Sequence, residues 1–405
     1  MKIALLSIGN ELLSGNTINS NAAWIANELT TIGCEIENQI TVQDKEESIV
    51  SGLDFCLLLK PTYLIITGGL GPTDDDITMA VLLKFLKIES EFDSDYWDQL
   101  KKRFNRSGLS ITDSNKNQAL KPKFGSIIPN PKGSARGLKL ITKETTIIAL
   151  PGVPLEMKSM INEFVKPQII KLIKTRIYSK TLRTTGIPES SLFDMIKNQD
   201  EQNSNSIGYY PSAYGVDIRI SNNRKEKLNN FADHLYKILG DNIYGEDKIR
   251  IEEVIVKTAI DKKKTIAVAE SCTGGLIGNR ITNVANSSIV FKGSAVTYSN
   301  QSKVDILGIE KICLKEFGAV SKQTAKQMAE NVKKLFGTTY GISVTGISGP
   351  GGGTKDKPIG LTYIGLAKLN ETSVSRFVFG QDREINKLRT SQAALNMLRK
   401  TLINE

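Results

Sequence analysis

Apolar and polar positions along the chain follow two periods that take turns. Ile3–Ile8 is a near-continuous apolar run, the pattern of a strand covered on both faces. Helical spacing follows from about Ser20 to Thr31, with Asn19 or Ser20 as cap and Gly33 just past the end. Ile36–Val42 reads as a strand and Glu46–Leu59 as a helix. Tyr63–Thr67 then runs straight into Gly68-Gly69-Leu70-Gly71-Pro72, with helical spacing resuming at about Ile77. Thr145–Leu150 enters a second punctuated loop, Pro151-Gly152-Val153-Pro154. Strands alternating with amphipathic helices predict a mostly parallel sheet, helices on both faces, over residues 1–170.

The rhythm shortens over residues 171–250. Thr181–Thr185, a helix from about Pro188 to Asn198, Ser206–Pro211, Val216–Ser221 and a helix near Lys225–Leu239 form a small connecting β-α-β-β-α domain. From about 251 the longer alternation resumes. Helix Glu252–Asp261, strand Thr265–Ala269, a helix after Gly274, strand Ser294–Tyr298, helix Lys322–Phe336 and strand Gly341–Thr345 lead to strands at Leu361–Ala367 and Val374–Phe379. A helix over about Glu384–Leu402 closes the chain. The expected architecture is α/β: two three-layer α/β/α domains with mostly parallel sheets, 1–170 and 251–405, joined by the small one.

Composition narrows the chemistry. Of 405 residues, 53 are Lys or Arg and 43 are Asp or Glu, a net charge of +10. Residues 1–170 carry 18 basic and 20 acidic side chains, residues 171–250 carry 13 and 10, and residues 251–405 carry 22 and 13. The excess basicity therefore belongs to the last domain, either as a solvated lysine surface or as attraction for an anionic ligand. Its lysines are scattered and not interleaved with aromatics, which disfavours nucleic acid. The chain has a single histidine, His234, read as a surface or packing residue, so zinc sites built on paired histidines are excluded. Cys34, Cys56, Cys272 and Cys313 contain no Cys-x-x-Cys pair, and a reduced, cytoplasmic setting is expected. The opening MKIALLSIGNELL reads as a buried strand and not as a secretory signal. No run approaches the roughly 18–20 apolar residues of a membrane span.

Two constellations carry candidate chemistry. Gly68-Gly69-Leu70-Gly71-Pro72-Thr73-Asp74-Asp75-Asp76 lies between a strand and a helix, where open α/β sheets bind ligands. Its glycines let backbone N–H groups approach a phosphate, although neither Gly-x-Gly-x-x-Gly nor a Walker motif is present. The aspartates read either as helix-capping residues or as oxygen ligands for Mg²⁺, Mn²⁺ or a related ion. Gly133-Ser134-Ala135-Arg136-Gly137 and the Pro-Gly-Val-Pro loop can line the same crevice.

The second constellation is Glu270-Ser271-Cys272-Thr273-Gly274-Gly275 at another strand-to-helix turn. Ser271 is either a helix cap or a nucleophile with helix N–H groups for an oxyanion. With no histidine in this domain, its base must be Lys, Tyr or a carboxylate. The candidate lies in Tyr298-Ser299-Asn300-Gln301-Ser302-Lys303, where a lysine can equally be a surface residue. Cys272 is a rival nucleophile lacking any adjacent histidine. The glycine run Thr345-Gly346-Ile347-Ser348-Gly349-Pro350-Gly351-Gly352-Gly353 is a flexible loop or a phosphate cradle, with Lys355, Lys357 or Arg383 adding charge.

Taken in order, the motifs resemble a known family. Ser7–Leu13, Gly15, Asn19, Asn21, GGLGPTDDDIT and ALPGVPLEM resemble the molybdopterin-binding (MoCF-like) fold, and more closely the N-terminal domain of the CinA family. That resemblance implies a pyrophosphatase acting on ADP-ribose with a divalent metal of the Mg, Mn or Co type. Asp75 and Asp76 match its aspartate pair, and Gly9, Asn10, Glu11, Gly68, Gly69, Gly71, Thr73 and Gly152 its phosphate and nucleotide contacts. ESCTGG, VTYSNQSK, the GAVS of Gly318–Ser321, VTGISGPGGGTKDKPIG and Gln381-Asp382-Arg383 resemble nicotinamide mononucleotide (NMN) deamidases. The resemblance implies hydrolysis of the nicotinamide amide without a cofactor, with Ser271 as nucleophile, Lys303 as base and Tyr298 assisting. Thr273, Gly274, Gly275, Thr345, Gly346, Gly349, Gly352 and Arg383 are implied to hold the phosphorylated ribose. Gly351 stands where that family has Asp, and Gln381 where it has Gly, departures that weaken substrate recognition. A homodimer is also implied. Two other readings stay open: a pterin- or nucleotide-binding protein of cofactor synthesis, and a non-catalytic adaptor in competence or DNA damage.

Overall fold

The computed structural model describes residues 1–173, 177–200 and 204–405, in two units, Met1–Tyr178 and Ser179–Glu405. In the first unit, β1 (Lys2–Ile8), β2 (Glu35–Val42), β3 (Tyr63–Thr67), β4 (Ser90–Phe92), β5 (Leu120–Pro122), β6 (Ser126–Ile128), β7 (Gly137–Ile141) and β8 (Thr146–Leu150) follow one another. Six of them form one sheet in the order β2-β1-β3-β8-β7-β6, while β4 and β5 pair separately. β2, β1, β3 and β8 are mutually parallel, and β7 and β6 continue antiparallel at one edge.

Alternation along β1 sorts its side chains to two cores. Ala4, Leu6 and Ile8 join Ile49, Leu53, Val81 and Leu82 from the helices Glu46–Leu58 and Thr78–Phe85. Ile3 and Leu5 join Ala22, Ile25 and Leu29 from the helix Ser20–Thr31 on the opposite face. Asn19 caps that helix, its Oδ1 accepting from the Ala22 N–H at 3.1 Å.

In the second unit, β9 (Tyr178–Thr184), β10 (Ser206–Ser212), β11 (Gly215–Asn222) and β12 (Ile243–Glu246) form the sheet β10-β11-β9-β12, with helices Glu189–Ile196 and Lys225–Leu239. The connecting domain is thus β-α-β-β-α-β. Its last strand is four residues long with a register break between Ile243 and Gly245, too short to carry a period in the sequence. His234 is exposed and bonded to Gln199 at 2.9 Å.

The remaining strands are β13 (Ile266–Glu270), β14 (Phe291–Val296), β15 (Tyr340–Gly346), β16 (Leu361–Ala367) and β17 (Thr372–Val378), in the order β14-β13-β15-β16-β17. The central β13 is parallel to both neighbours, and β16 and β17 add antiparallel. Helices Ile251–Asp261, Leu276–Thr282 and Arg383–Asn404 cover Ile266, Val268, Ile342 and Val344 on one face. The helix Lys322–Phe336 covers Ala267 and Ala269 on the other. Both α/β domains are three-layered, as the alternation predicts. Among the described residues no helix is long and apolar enough to cross a membrane.

The helix Lys322–Phe336 packs unusually close to its sheet. A Cβ on Gly341 would lie 2.1 Å from the Ala329 carbonyl oxygen, and one on Gly365 would lie 2.6 Å from that of Ala325. On the same face of β15, Ser343 donates to the Ala325 carbonyl at 2.5 Å and Thr345 to the Ala319 carbonyl at 2.7 Å. Because backbone stands opposite Gly341, no rotamer change can relieve a clash there. Gly341→Ala is expected to destabilise the fold by about 1–3 kcal/mol or more. A denaturant midpoint equal to wild type would show that this approach is not tight.

Candidate active site

Strand register brings three of the motifs to one edge. Glu270 pairs with Val296 of β14 on one side and Val344 of β15 on the other, so β13 and β14 end level and β15 runs two residues further, to Gly346. The Thr297 N–H donates to the Glu270 carbonyl at 2.8 Å, and the Ser271 N–H to the Val344 carbonyl at 3.1 Å. Ser299 then caps the helix Asn300–Leu307, its hydroxyl accepting from the Ser302 N–H at 3.0 Å. That cap places Lys303 one turn in, pointing back across the strand ends.

Lys303 is 1% exposed. Its Nζ donates to Ser271 Oγ at 3.0 Å, to the Thr297 carbonyl at 2.8 Å and to the Tyr298 carbonyl at 3.3 Å. No carboxylate forms an ion pair with it among the described residues. Burial drives its pKa down to about 8, with the Cys272 thiol nearby opposing weakly. Ser271 is itself buried. The arrangement is therefore a hydroxyl whose only side-chain partner among the described residues is an amine that loses its proton far more readily than an ordinary lysine, the requirement for a Ser–Lys pair. Cys272 loses the competition, because burial pushes its thiol up to about 12.

The turn that carries Ser271 is held by a residue the sequence argument passed over. Glu270 is fully buried, and its carboxylate accepts five hydrogen bonds. The donors are Thr273 Oγ1 at 2.7 Å, Ser294 Oγ at 3.0 Å, and the N–H groups of Gly275, Ile277 and Gly278 at 3.0, 3.1 and 2.8 Å. This corrects two expectations. The first N–H groups of the helix Leu276–Thr282 are committed to Glu270 and are not free for an oxyanion. Thr273, completely buried, turns its hydroxyl to the same carboxylate and not to a ligand. The remaining donors in the turn are the N–H groups of Cys272 and Thr273, which donate to no other residue among the described residues. Gly274, with φ 63°, leaves open space above it.

The rim is assembled by Arg383. Its guanidinium donates to the Gly349 carbonyl at 2.7 Å and to Tyr298 Oη at 2.9 Å. Tyr298 is 62% exposed, and its phenol meets Arg383 and not Ser271 or Lys303. What it gives Lys303 is a backbone carbonyl, so direct assistance by the phenol is not what the geometry shows. Thr345 is fully buried on Ala319, and a Cβ on Gly346 would meet Thr362 Oγ1 at 2.6 Å, so both serve packing. Gly352 faces only Ile347 within 4 Å, and a Cβ on Gly351 would meet nothing. The space for a side chain at 351 is therefore present. Buried Asn386 ties the two loops together through the Ser348 and Gly380 carbonyls, both at 2.9 Å. A polar residue at a buried helical position leaves no mark in the periodicity, and an acid at the end of a strand has no pattern that separates a buried carboxylate from an exposed one.

In the first unit the ends of β1, β3 and β8 lie level, Ser7 beside Thr67 and Thr67 beside Leu150. The loops after them meet: a Cβ on Gly68 would lie 2.1 Å from the Ile8 carbonyl oxygen, and Asn21 donates to the Gly152 carbonyl at 2.7 Å. Gly69 packs on Thr78 in the same way. Gly9, Asn10, Glu11, Gly68, Gly69 and Gly152 thus share one crevice, but several donors are already occupied. The Gly9 N–H goes to the Val42 carbonyl, the Asn10 N–H to Asp44, and the Thr73 N–H and hydroxyl both to Asp76 Oδ2, at 2.9 and 2.5 Å. Asp76, packed against Gly71, therefore braces the loop, while Asp75 is exposed. Asp44 is pushed up by burial, with the charges of Glu11 and Asp75 adding to it. Among the described residues no three His, Cys, Asp or Glu side chains are grouped to hold a metal ion. Of the expected metal pair, Asp76 spends one carboxylate oxygen on Thr73, while Asp75 is open to solvent.

These two sheet-edge sites and the domain between them define a class. Three family models match in succession: a probable molybdopterin binding domain over residues 4–171, the damage-inducible protein CinA KH domain over 179–245, and the CinA C-terminal domain over 248–402. The chain is 39% identical to a competence-damage inducible protein of Clostridium perfringens across 99% of both chains, and 39% identical to one of Caldicellulosiruptor saccharolyticus across 100% of both. Among solved structures, CinA from Thermoplasma acidophilum matches at 32% identity and TM-score 0.38, covering 41% of this chain and 96% of its own. CihA from Agrobacterium tumefaciens matches at 37% identity and TM-score 0.37, covering 39% and 98%. The chain belongs to the CinA family of competence/damage-inducible proteins.

Glu270→Ala would strand five donors at once, three of them in buried hydrogen bonds. It is expected to cost about 3–5 kcal/mol in chemical denaturation, against about 1 kcal/mol for Ser294→Ala, which removes one of them. Equal and small effects would show that the carboxylate does not hold the turn.

Proposed function

We propose that residues 251–405 hydrolyse the carboxamide of nicotinamide mononucleotide to nicotinate mononucleotide and ammonia. The observation that carries this reading is the buried Lys303 amine bonded to Ser271 Oγ at 3.0 Å with no carboxylate paired to it. Neutral Lys303 takes the Ser271 proton as Oγ bonds to the amide carbon. The N–H groups of Cys272 and Thr273 take the developing oxyanion, since those of the following helix are held by Glu270. As the C–N bond breaks, Lys303 returns its proton to the leaving nitrogen, releasing ammonia. Water then attacks the acyl carbon as Lys303 accepts its proton, and Lys303 passes that proton to Ser271 Oγ as the acyl C–Oγ bond breaks, releasing nicotinate mononucleotide. Arg383, fixed by Gly349 and Tyr298, supplies a cation for the substrate phosphate, in keeping with the basic character of this domain.

Cleavage of ADP-ribose in the crevice after β3 belongs to the same proposal as a second activity. It is supported by the glycine loops meeting at the strand ends, and product analysis with and without divalent metals tests it. An adaptor role on nucleic acid has less support, because residues 179–245 contain no Gly-x-x-Gly, the loop with which KH modules clamp a nucleic-acid backbone.

Ser271→Ala is expected to lower kcat/KM for ammonia release from NMN by about three orders of magnitude or more. Full activity in this variant would sink the nucleophile assignment. Because Lys303 must be neutral to accept a proton, kcat/KM should rise with pH through about 8 and then level. A flat profile across that range would remove Lys303 as the base.

A further inference from the structure

A cavity of roughly 920 Å³ opens in the first unit between the helix Ser94–Arg106 and the segment running from Lys121 to Arg136. This volume is typical of small-molecule sites and far smaller than a macromolecular groove. Its lining combines apolar side chains, Leu100, Ile127 and Pro129, with the cations Lys102, Arg103, Arg106, Lys121 and Arg136. That is unexpected in a domain whose acidic residues outnumber its basic ones, 20 to 18 over residues 1–170.

The charges around the rim can be sorted by partner. Arg136 is neutralised by Asp93 at 2.7 Å and lies 3.7 Å over the Tyr96 ring, and Lys121 pairs with Glu91 at 3.4 Å. That leaves Lys102, Arg103 and Arg106, which the helical period puts on one face with Gln99, against the single carboxylate of Asp95. Among the described residues none of these three cations has an ion-pair partner. Their surplus over Asp95 is two positive charges, the complement of a phosphate group at neutral pH.

The rim is also built rather than loose. Arg103 donates to the Gly133 carbonyl at 2.5 Å and Tyr96 Oη to the Ser134 carbonyl at 2.7 Å, which tie the loop after β6 to the helix. Asn130 holds that loop from within, bonding the Ala135 carbonyl at 2.8 Å and the Glu156 carboxylate at 2.5 Å. Arg136 itself stands between this cavity and the narrow cleft lined by Gly71 and Asp76, and its Nε is buried without a partner.

We infer that this cavity is a binding site for a small phosphate-bearing molecule, a phosphate monoester or a diphosphate on a compact organic body. The phosphate meets Arg103, Arg106 and Lys102, and the body lies against Ile127 and Pro129. The site adjoins the cleft of Gly71 and Asp76 through Ile127 and Arg136, and it does not depend on the deamidation reading.

Calorimetric titration of the full chain with inorganic pyrophosphate, without divalent metal, tests it. Saturable binding of one equivalent is expected, weakening as salt is raised. Arg103→Ala with Arg106→Ala should reduce affinity about tenfold or more, as expected for lost charge-assisted hydrogen bonds. Because Arg103 also braces the loop, a second pair, Lys102→Ala with Arg106→Ala, changes only exposed side chains and should weaken binding in the same direction. Ammonia release from NMN should be unchanged in both. Absence of saturable binding, or wild-type affinity in both pairs, overturns the inference.

Discussion

A carboxylate withdrawn completely from water is tolerated only when donors meet its lone pairs, and Glu270 meets that condition with five. The rest of the C-terminal site depends on this. Three donors come from the start of one helix, one from the turn and one from the neighbouring strand β14, so the carboxylate locks the strand-to-turn-to-helix path of Ser271 in three directions. The helix's partial positive charge, which would otherwise draw an anion from solution, is answered from inside the fold. An exposed anion seat is exchanged for a rigid turn, and the nucleophile's position is set by a residue that never touches the substrate.

The second constraint is parallel register. Strands β14 and β13 end at the same level, two residues short of the end of β15, because Val296, Glu270 and Val344 are neighbours across the sheet. Residues separated by 32 positions, Ser271 and Lys303, thereby come within hydrogen-bonding distance without any long side-chain reach. The same geometry in the first unit brings the loops after β1, β3 and β8 together. There it leads to a different result, because backbone donors of the loops are already taken by Val42, Asp44 and Asp76. Shared topology supplies a location, while the local hydrogen bonds decide what that location can do.

Elements with a full period were readable from the sequence, and the reasons are physical. Helices Ser20–Thr31, Lys225–Leu239 and Lys322–Phe336 and strand Leu361–Ala367 match expectation at both ends, since each has a strong apolar face and a capping or breaking residue. Strands β4, β5, β6 and β12, of three or four residues, carry too few positions to show alternation. In the site, motif order pointed to Ser271 and Lys303, but the direction of a hydroxyl is not a sequence property. Thr273, Thr345 and Thr73 sit inside glycine-rich motifs that invite a ligand, yet each bonds inward. The same blindness hid Asn386, whose amide joins two loops from a helix position that spacing alone assigns to an apolar residue.

Lys303 shows why a protein keeps a costly group in its interior. An amine that is 1% exposed, bonded to two carbonyls and a hydroxyl and lacking a counter-ion, is disfavoured as an ammonium relative to water, which is what lowers its pKa to about 8. A methionine would pack there at less electrostatic cost, but could neither accept nor return a proton. The carbonyls of Thr297 and Tyr298 keep the protonated form from being prohibitive, so both states remain accessible near neutrality. Had a carboxylate occupied that place, the ammonium would persist and the lone pair would be lost to chemistry. The absence of an ion pair at Lys303 and the five donors on Glu270 are therefore complementary. Negative charge one residue from the nucleophile is confined by backbone donors, and the amine on its other side is left free to exchange its proton.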